Sequence, residues 1–310
     1  MTTYQDISYK GNIMTKAGFV SLIGRPNAGK STLMNSLLGE NIAMVSQKAN
    51  ATRKRSNAIV MHEDTQIIFV DTPGLHEREK VLNQFMLDEA LKAMGDCDLI
   101  VYLAPITDSL EHYEKFLKLN NDRVKHIVVL SKIDQVNQEK LFKRIASYNQ
   151  FADKFEALIP VAVPKKIGHE DLLKVICKNL PDSPFLYDPD DLTSELVRDI
   201  YAGFIREGIF ENVSDEIPYE SDVLIDSIEE EEGIDKIYAT IIIEKESQKG
   251  IIIGGGGESI KRIGKSAREK VERLSGKKAY LNLQVSVKKG WSKDKAYLEE
   301  IGYKSWNYYF

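Results

Sequence analysis

The chain has 310 residues, 43% of them apolar and 29% charged, a composition that packs a core and has room for two domains. Two cysteines exclude a disulfide framework and point to a reducing compartment. No apolar run nears the ~18 residues of a membrane span, and the N-terminus lacks the basic-then-apolar layout of a signal peptide. The net charge of −5 hides an asymmetry: residues 1–180 hold 24 basic and 21 acidic side chains, 181–235 hold 2 and 18, and 236–310 hold 16 and 8. A basic C-terminal stretch behind an acidic one is a cue for a surface that binds a polyanion.

In chain order, the first 16 residues read as an extension expected to be disordered. Through residue 180, β-type runs (18–23, 57–61, 66–70, 99–103, 126–130, 157–161) alternate with helical ones (30–38, 83–93, 111–119, 139–149, 170–178). That alternation predicts an α/β domain over 17–180, a mainly parallel sheet with helices on both faces and ligands at the strand-to-helix edge. Three prolines and four aspartates at 180–191 read as a linker over 181–191. The pattern then changes over 192–295 to helix, strand, acidic turn, strand, short helix, glycine loop, helix and strand, a small α+β domain. An aromatic tail, 296–310, ends in Trp306-Asn307-Tyr308-Tyr309-Phe310, expected to pack on the domain or stack on bases.

The first strand runs into Gly24-Arg25-Pro26-Asn27-Ala28-Gly29-Lys30-Ser31-Thr32, the G-x-x-x-x-G-K-S spacing of a phosphate-binding loop. Backbone N–H groups and a helix N-terminus would converge on phosphates, Lys30 would reach the β- and γ-phosphates, and Ser31 would ligate Mg²⁺. The third strand ends in Asp71-Thr72-Pro73-Gly74, where Asp71 anchors the Mg²⁺ shell and the Gly74 N–H meets a γ-phosphate. At Ser131-Lys132-Ile133-Asp134, the Asp134 carboxylate can accept two hydrogen bonds from guanine, which selects GTP over ATP, and the Lys132 stem can lie along the base. Together these resemble the Ras-like GTPase set, with Ser131 in the place of the usual Asn. That resemblance implies weaker nucleotide binding, a contact from the Ala162 N–H to the base, and catalytic duties for Lys30, Gly74 and a threonine, for which Thr52 is the candidate third metal ligand. Leu75 occupies the slot where such enzymes carry a water-orienting glutamine, so hydrolysis is expected to be slow.

In the second half, Ile253-Gly254-Gly255-Gly256-Gly257-Glu258-Ser259-Ile260 fits the I-G-x-x-G-x-x-I loop of a type II KH domain, whose backbone clamps nucleic-acid phosphates. Both central residues are glycine, so attraction would fall on Lys249, Lys261, Arg262 and Lys265. From about residue 14 to residue 295 the chain resembles the bacterial Era GTPase family, in GFVSLIGRPNAGKSTLMN, DTPG, EIPYESDV, GGGGESIKRIG and VKKGWSKDK. The Met14-Thr15-Lys16-Ala17-Gly18 segment is similar to a family start. The resemblance implies Mg²⁺, a potassium ion held with help from Asn27, GTP/GDP exchange and binding of the 3′ end of 16S rRNA. It also implies a part in small-subunit assembly, as a cytoplasmic monomer with peripheral contact to the inner membrane. A basic C-terminal face on anionic lipid is the rival reading of the same charges.

Overall fold

The computed structural model describes residues 15–46, 52–74, 81–214 and 216–303. Six strands form the first sheet: β1 (Lys16–Ile23), β2 (Ser56–His62), β3 (Thr65–Asp71), β4 (Leu99–Pro105), β5 (His126–Ser131) and β6 (Ala157–Pro160), in the order β2-β3-β1-β4-β5-β6. All neighbours run parallel except β2, antiparallel to β3. Strands β3, β4 and β5 are buried along their whole length, as near-continuous apolar runs covered on both faces must be.

Helices α1 (Lys30–Leu38) and α5 (His169–Asn179) help close one apolar layer around Leu22, Leu33, Phe69 and Leu172. On the other face Tyr102, Tyr113 and Phe116 stack beside β4 and β5; α3 (Glu111–Asn120) supplies two of these rings and α4 (Gln138–Ser147) packs against the same cluster. Helix α2 (Val81–Gly95) takes another course, sending Leu82 and Met86 toward the second domain.

That domain runs α6 (Val197–Asn212), β7 (Ser221–Glu231), β8 (Ile234–Ile243), α7 (Glu246–Ile253), α8 (Glu258–Ser275) and β9 (Lys278–Val287). β8 pairs antiparallel with β7 and parallel with β9, the arrangement of a type II KH domain. Its core lies between the sheet and helices α6 and α8, around Phe204, Ile205, Ile237, Ile241, Ile263 and Val271. A fourth apolar cluster joins the domains, with Leu82 and Met86 packed on Ile242, Trp291, Leu298, Ile301 and Tyr303. Helix α9 (Lys295–Glu300) closes the described chain.

Several boundaries differ from the sequence reading, each for a physical reason. Residues 15 and 16, assigned to a disordered extension, are ordered: Thr15 exchanges hydrogen bonds with Ser183, and Lys16 bridges Asp182. The linker is not a loose spacer, because the buried Gln66 amide binds its backbone. Its Oε1 accepts from the Leu186 and Tyr187 amides at 2.7 and 3.0 Å, and its Nε2 donates to the Tyr187 carbonyl at 2.9 Å. The outer edge of β2 is covered too, since the Ile59 amide donates to Leu192. Those tethers hold residues 192–196 in a bent, non-helical path, so the helix expected from 192 starts at Val197. The acidic turn expected at 229–235 narrows to two residues around Gly233, because Lys236 and Lys277 pair with Glu231 and Asp235. Up to Tyr303 the expected tail packs on the joint; residues 304–310, with the terminal aromatic run, lie outside the described residues, as do 1–14 and Leu75. Among the described residues no helix is long and apolar enough to cross a membrane.

Candidate nucleotide site and nucleic-acid interface

β1 delivers its C-terminal end into the loop that opens α1, the turn where an open α/β sheet binds ligands. Asn27 adopts a left-handed backbone (φ 60°) and Gly29 follows at φ 101°, which curls the loop back on the first turn of α1. Lys30 is buried there, its Nζ donating to the Gly24 and Arg25 carbonyls, both at 3.3 Å. Burial pushes its ammonium below the ordinary value, Asp71 opposes that shift, and Arg25 adds to it. The DTPG turn lies directly on this loop: a Cβ on Gly74 would stand 2.5 Å from the Pro26 nitrogen, so only glycine fits. The Thr72 hydroxyl fixes the same turn by donating to the Leu22 carbonyl at 2.8 Å.

Three oxygen-bearing side chains from separate elements meet at Lys30. Ser31 Oγ donates to Asp71 Oδ2 at 2.5 Å and lies 3.1 Å from Thr52 Oγ1, which is 3.4 Å from the same Oδ2. Among the described residues the other carboxylate oxygen of Asp71 is buried with no hydrogen-bond partner. Burial pushes the Asp71 carboxyl up, with Lys30, Ser31 and Thr52 pulling the other way. Two hydroxyls and a carboxylate with an unsatisfied oxygen form the hard donor set that suits a divalent cation such as Mg²⁺. Ser31 and Thr52 line a cleft of about 420 Å³, together with Asn27, Gly74 and Lys132, while Asp71 lies buried behind them.

At the base end, Ser131 Oγ donates to the Ala28 carbonyl at 2.9 Å and Lys132 Nζ donates to the Asn27 carbonyl at 2.8 Å. The serine therefore braces the phosphate loop itself, despite lacking the length of an asparagine. Ile133 and the exposed Asp134 form a short turn immediately after. The Ala162 amide donates to the Ile167 carbonyl at 3.2 Å, closing its own turn. Pro26 and Thr32, within the loop, line the same cleft.

Sequence reasoning missed two groups. Asp108, in the loop after β4, grips Arg25 in a two-pronged ion pair (2.5 and 2.6 Å) and pins the start of the phosphate loop. Arg53, next to Thr52, is 2% exposed and reaches into the second domain. No local pattern announces either contact; the paired residues are 83 and 168 positions apart.

In the second domain, Gly254 (φ 75°) lies so close to Ser259 that a Cβ would meet its amide nitrogen at 2.8 Å. Gly255 and Gly256 face open space at the N-terminus of α8, where backbone N–H groups and the helix dipole favour phosphate. Lys261, Arg262 and Lys265 are exposed on the first turns of α8, Lys265 near Glu269 at 3.9 Å, and Lys249 is half-buried on α7. Lys270 turns away to Glu207 and Glu211 on α6.

The geometry defines a class: a guanine-nucleotide-binding phosphate-loop domain joined to a KH domain. A family model described as a 50S ribosome-binding GTPase matches residues 19–132, and a KH-domain model matches 216–292. The chain is 52% identical over 294 residues to GTPase Era of Helicobacter pylori strain P12, covering 93% of this chain and 97% of that one. It is 51% identical over 286 residues to GTPase Era of Campylobacter concisus, covering 92% and 99%. Among solved structures, Aquifex aeolicus Era bound to GDP and aluminium fluoride superposes with a TM-score of 0.90 at 30% identity, covering 94% of this chain and 100% of that one. A crystal structure of Era in complex with MgGDPNP and nucleotides 1506–1542 of 16S ribosomal RNA gives 0.89 at 30% identity and the same coverage. The chain belongs to the Era family and is a GTPase.

Proposed function

We propose that this GTPase is a nucleotide-driven switch that grips the 3′ end of 16S rRNA through its KH loop and acts in 30S assembly and 16S rRNA maturation. One observation carries the reading: the Ser31–Thr52–Asp71 cluster, with its unsatisfied carboxylate oxygen, shares a chain with an open glycine loop at a basic helix start. The complex of Era with MgGDPNP and 16S rRNA supports it from the side of the relatives.

In this reading Lys30 leaves the Gly24 and Arg25 carbonyls for the β- and γ-phosphates, and residues 24–32 wrap the phosphate chain with backbone amides. Ser31, Thr52 and Asp71 would hold Mg²⁺, which when bound offsets charge on the β- and γ-phosphate oxygens. The Gly74 amide would meet the γ-phosphate, and Asn27 would help hold a potassium ion that supplies positive charge for hydrolysis. Asp134 would select guanine, and the Lys132 stem would lie along the base while its Nζ holds the Asn27 carbonyl. With Leu75 where a water-orienting glutamine would stand, hydrolysis is slow in the free protein. On the second domain, residues 254–257 clamp the RNA backbone, and Lys249, Lys261, Arg262 and Lys265 supply the salt-dependent attraction.

The test is a salt titration of binding to a 3′-terminal 16S segment, with GDP and with a non-hydrolysable GTP analogue, for the full chain and for a Gly255→Asp/Gly256→Asp variant. The expected result is tighter binding in the GTP-like state, lost in the variant. Equal affinity in both nucleotide states would remove the switch from the reading. Equal affinity of variant and native chain would remove the loop from it.

A further inference from the structure

Three consecutive basic residues follow the first nucleotide loop, and each goes to a different place. Arg55 pairs with Glu89 of α2 at 2.7 Å. Lys54 donates to the Ile301 carbonyl at 2.9 Å and lies 5.0 Å from the centre of the Tyr303 ring. Arg53 enters the joint between the domains. Its guanidinium donates to the Ser221 carbonyl at 2.7 Å, to Tyr219 at 2.9 Å and to Pro218 at 3.0 Å, and sits 5.9 Å from the Trp291 ring centre. Those carbonyls belong to the end of a short helical turn (Ile217–Glu220) and to Ser221 just after it; the Pro218 carbonyl also accepts from the Ser221 hydroxyl at 3.2 Å, and the Glu220 carbonyl from the Trp291 indole at 3.1 Å. Asp222, 4% exposed, stands 3.8 Å away and also binds Arg206 and the Tyr303 hydroxyl.

The residue before this plug is Thr52, whose hydroxyl completes the oxygen cluster with Ser31 and Asp71. One peptide bond separates a side chain locked into the second domain from one that faces the cation site. With the Arg53 side chain seated, the backbone at residue 53 is held near its place, which narrows the range of positions open to residue 52.

We propose that Arg53 is a positioning residue for GTP hydrolysis: held by the second domain, it sets Thr52 against Ser31 and Asp71. The KH domain thus contributes to the geometry of the nucleotide site without touching nucleotide. This rests on the reading of Thr52 as a ligand in that site, and the experiment separates the two.

The measurement is a cycle in the full chain: native, Arg53→Met, Thr52→Ala and the double variant. Each is assayed for kcat, KM and the Mg²⁺ concentration that gives half-maximal rate, with circular dichroism and GDP affinity as fold controls. Misplacing a catalytic contact costs about ten- to a hundredfold in rate, so Arg53→Met should lower kcat by at least about tenfold and raise the Mg²⁺ requirement, with little change in GDP affinity. In the Thr52→Ala background the same change should cost almost nothing, because the group it positions is gone. Arg53→Lys, which keeps one charged donor, should recover part of the rate, and it carries the cycle if the methionine variant fails to fold. Multiplying losses in the double variant, or an Arg53 variant with native kcat and Mg²⁺ dependence, would overturn the proposal. Native hydrolysis in Thr52→Ala alone would instead overturn the reading of Thr52.

Discussion

The glycine loop of the KH domain offers a test in which two adjacent positions with the same chemistry should behave differently. Gly255 and Gly256 both face open space, so a lysine side chain meets no steric obstacle at either. Only Gly256 has a left-handed backbone, at φ 58°. Lysine at 255 should therefore be tolerated and even gain about 0.4–1 kcal/mol, since it restricts the unfolded chain more than glycine does. Lysine at 256 must hold a left-handed conformation, which costs about 1–2 kcal/mol. For binding, one extra cation on a single-stranded RNA phosphate steepens the slope of log K against log salt by about 0.7. Relative to a molar-salt reference, that slope is worth about fourfold in affinity near ~0.15 M. The assay is fluorescence anisotropy of a labelled single-stranded RNA over about 50–300 mM salt, with thermal unfolding of Gly255→Lys and Gly256→Lys in parallel. An unchanged salt slope in Gly255→Lys would show that the loop does not face phosphate. Equal melting temperatures for the two variants would refute the backbone argument.

Other outcomes follow from single contacts. Ser131→Ala leaves the buried Ala28 carbonyl without its donor, so GDP affinity should fall by about 1 kcal/mol, roughly fivefold in Kd by nucleotide fluorescence; native affinity would mean the brace is inert. Asp134→Asn replaces an acceptor with a donor and should shift preference from guanine to xanthine nucleotide in a competition assay, whereas an unshifted preference would place base recognition elsewhere. Burial pushes the Glu195 carboxyl up to about 7 from 4.5, against an opposing hydrogen bond from the Asn57 amide. The folded state then holds a proton that the unfolded state releases, so this group's contribution is complete below pH ~4.5 and is lost as pH rises toward ~7. Glu195→Gln should therefore gain stability over the native chain as pH increases across that window, and a difference in melting temperature that is flat with pH would sink the assignment.

What the sequence made legible was whatever a few consecutive residues determine. The phosphate loop, DTPG, the SKID segment and the four glycines each fix a local backbone, and the structure places the first three at strand ends and the glycines between two helices. Periodicity and apolar runs likewise located the six strands of the first sheet to within a residue or two at most ends. Contacts between distant residues stayed hidden. Prolines and aspartates at 180–191 signal turns, but only the folded chain shows the Gln66 amide tying that turn-rich segment to the sheet. The Ala162 amide closes its own turn on the Ile167 carbonyl, a contact no motif announces. Ser131 looks too short to brace anything until Ala28 is found 2.9 Å away.

The joint is the largest such omission, and its energetics limit how the two domains can move. Read along the chain, Arg53-Lys54-Arg55 is a run of charge; folded, its first member is among the largest fully buried side chains of the described residues. Although burial works against it, Arg206 and Arg53 hold the Asp222 carboxyl below the usual carboxylate range, so the charges in the joint are mutually dependent. Stripping one partner from a buried, hydrogen-bonded ion pair costs about 3–5 kcal/mol, a large part of the ~5–15 kcal/mol that holds a whole domain folded. Withdrawal of Arg53 would take a donor from three carbonyls, of which Pro218 keeps the Ser221 hydroxyl, as well as weaken the hold on Asp222. A shift of Thr52 driven by nucleotide is therefore cheaper if the Ile217–Glu220 turn moves with it than if the guanidinium leaves its socket. Since that turn leads into β7, the first strand of the KH sheet, the proposed coupling between nucleotide and RNA binding would run through a side chain that contacts neither.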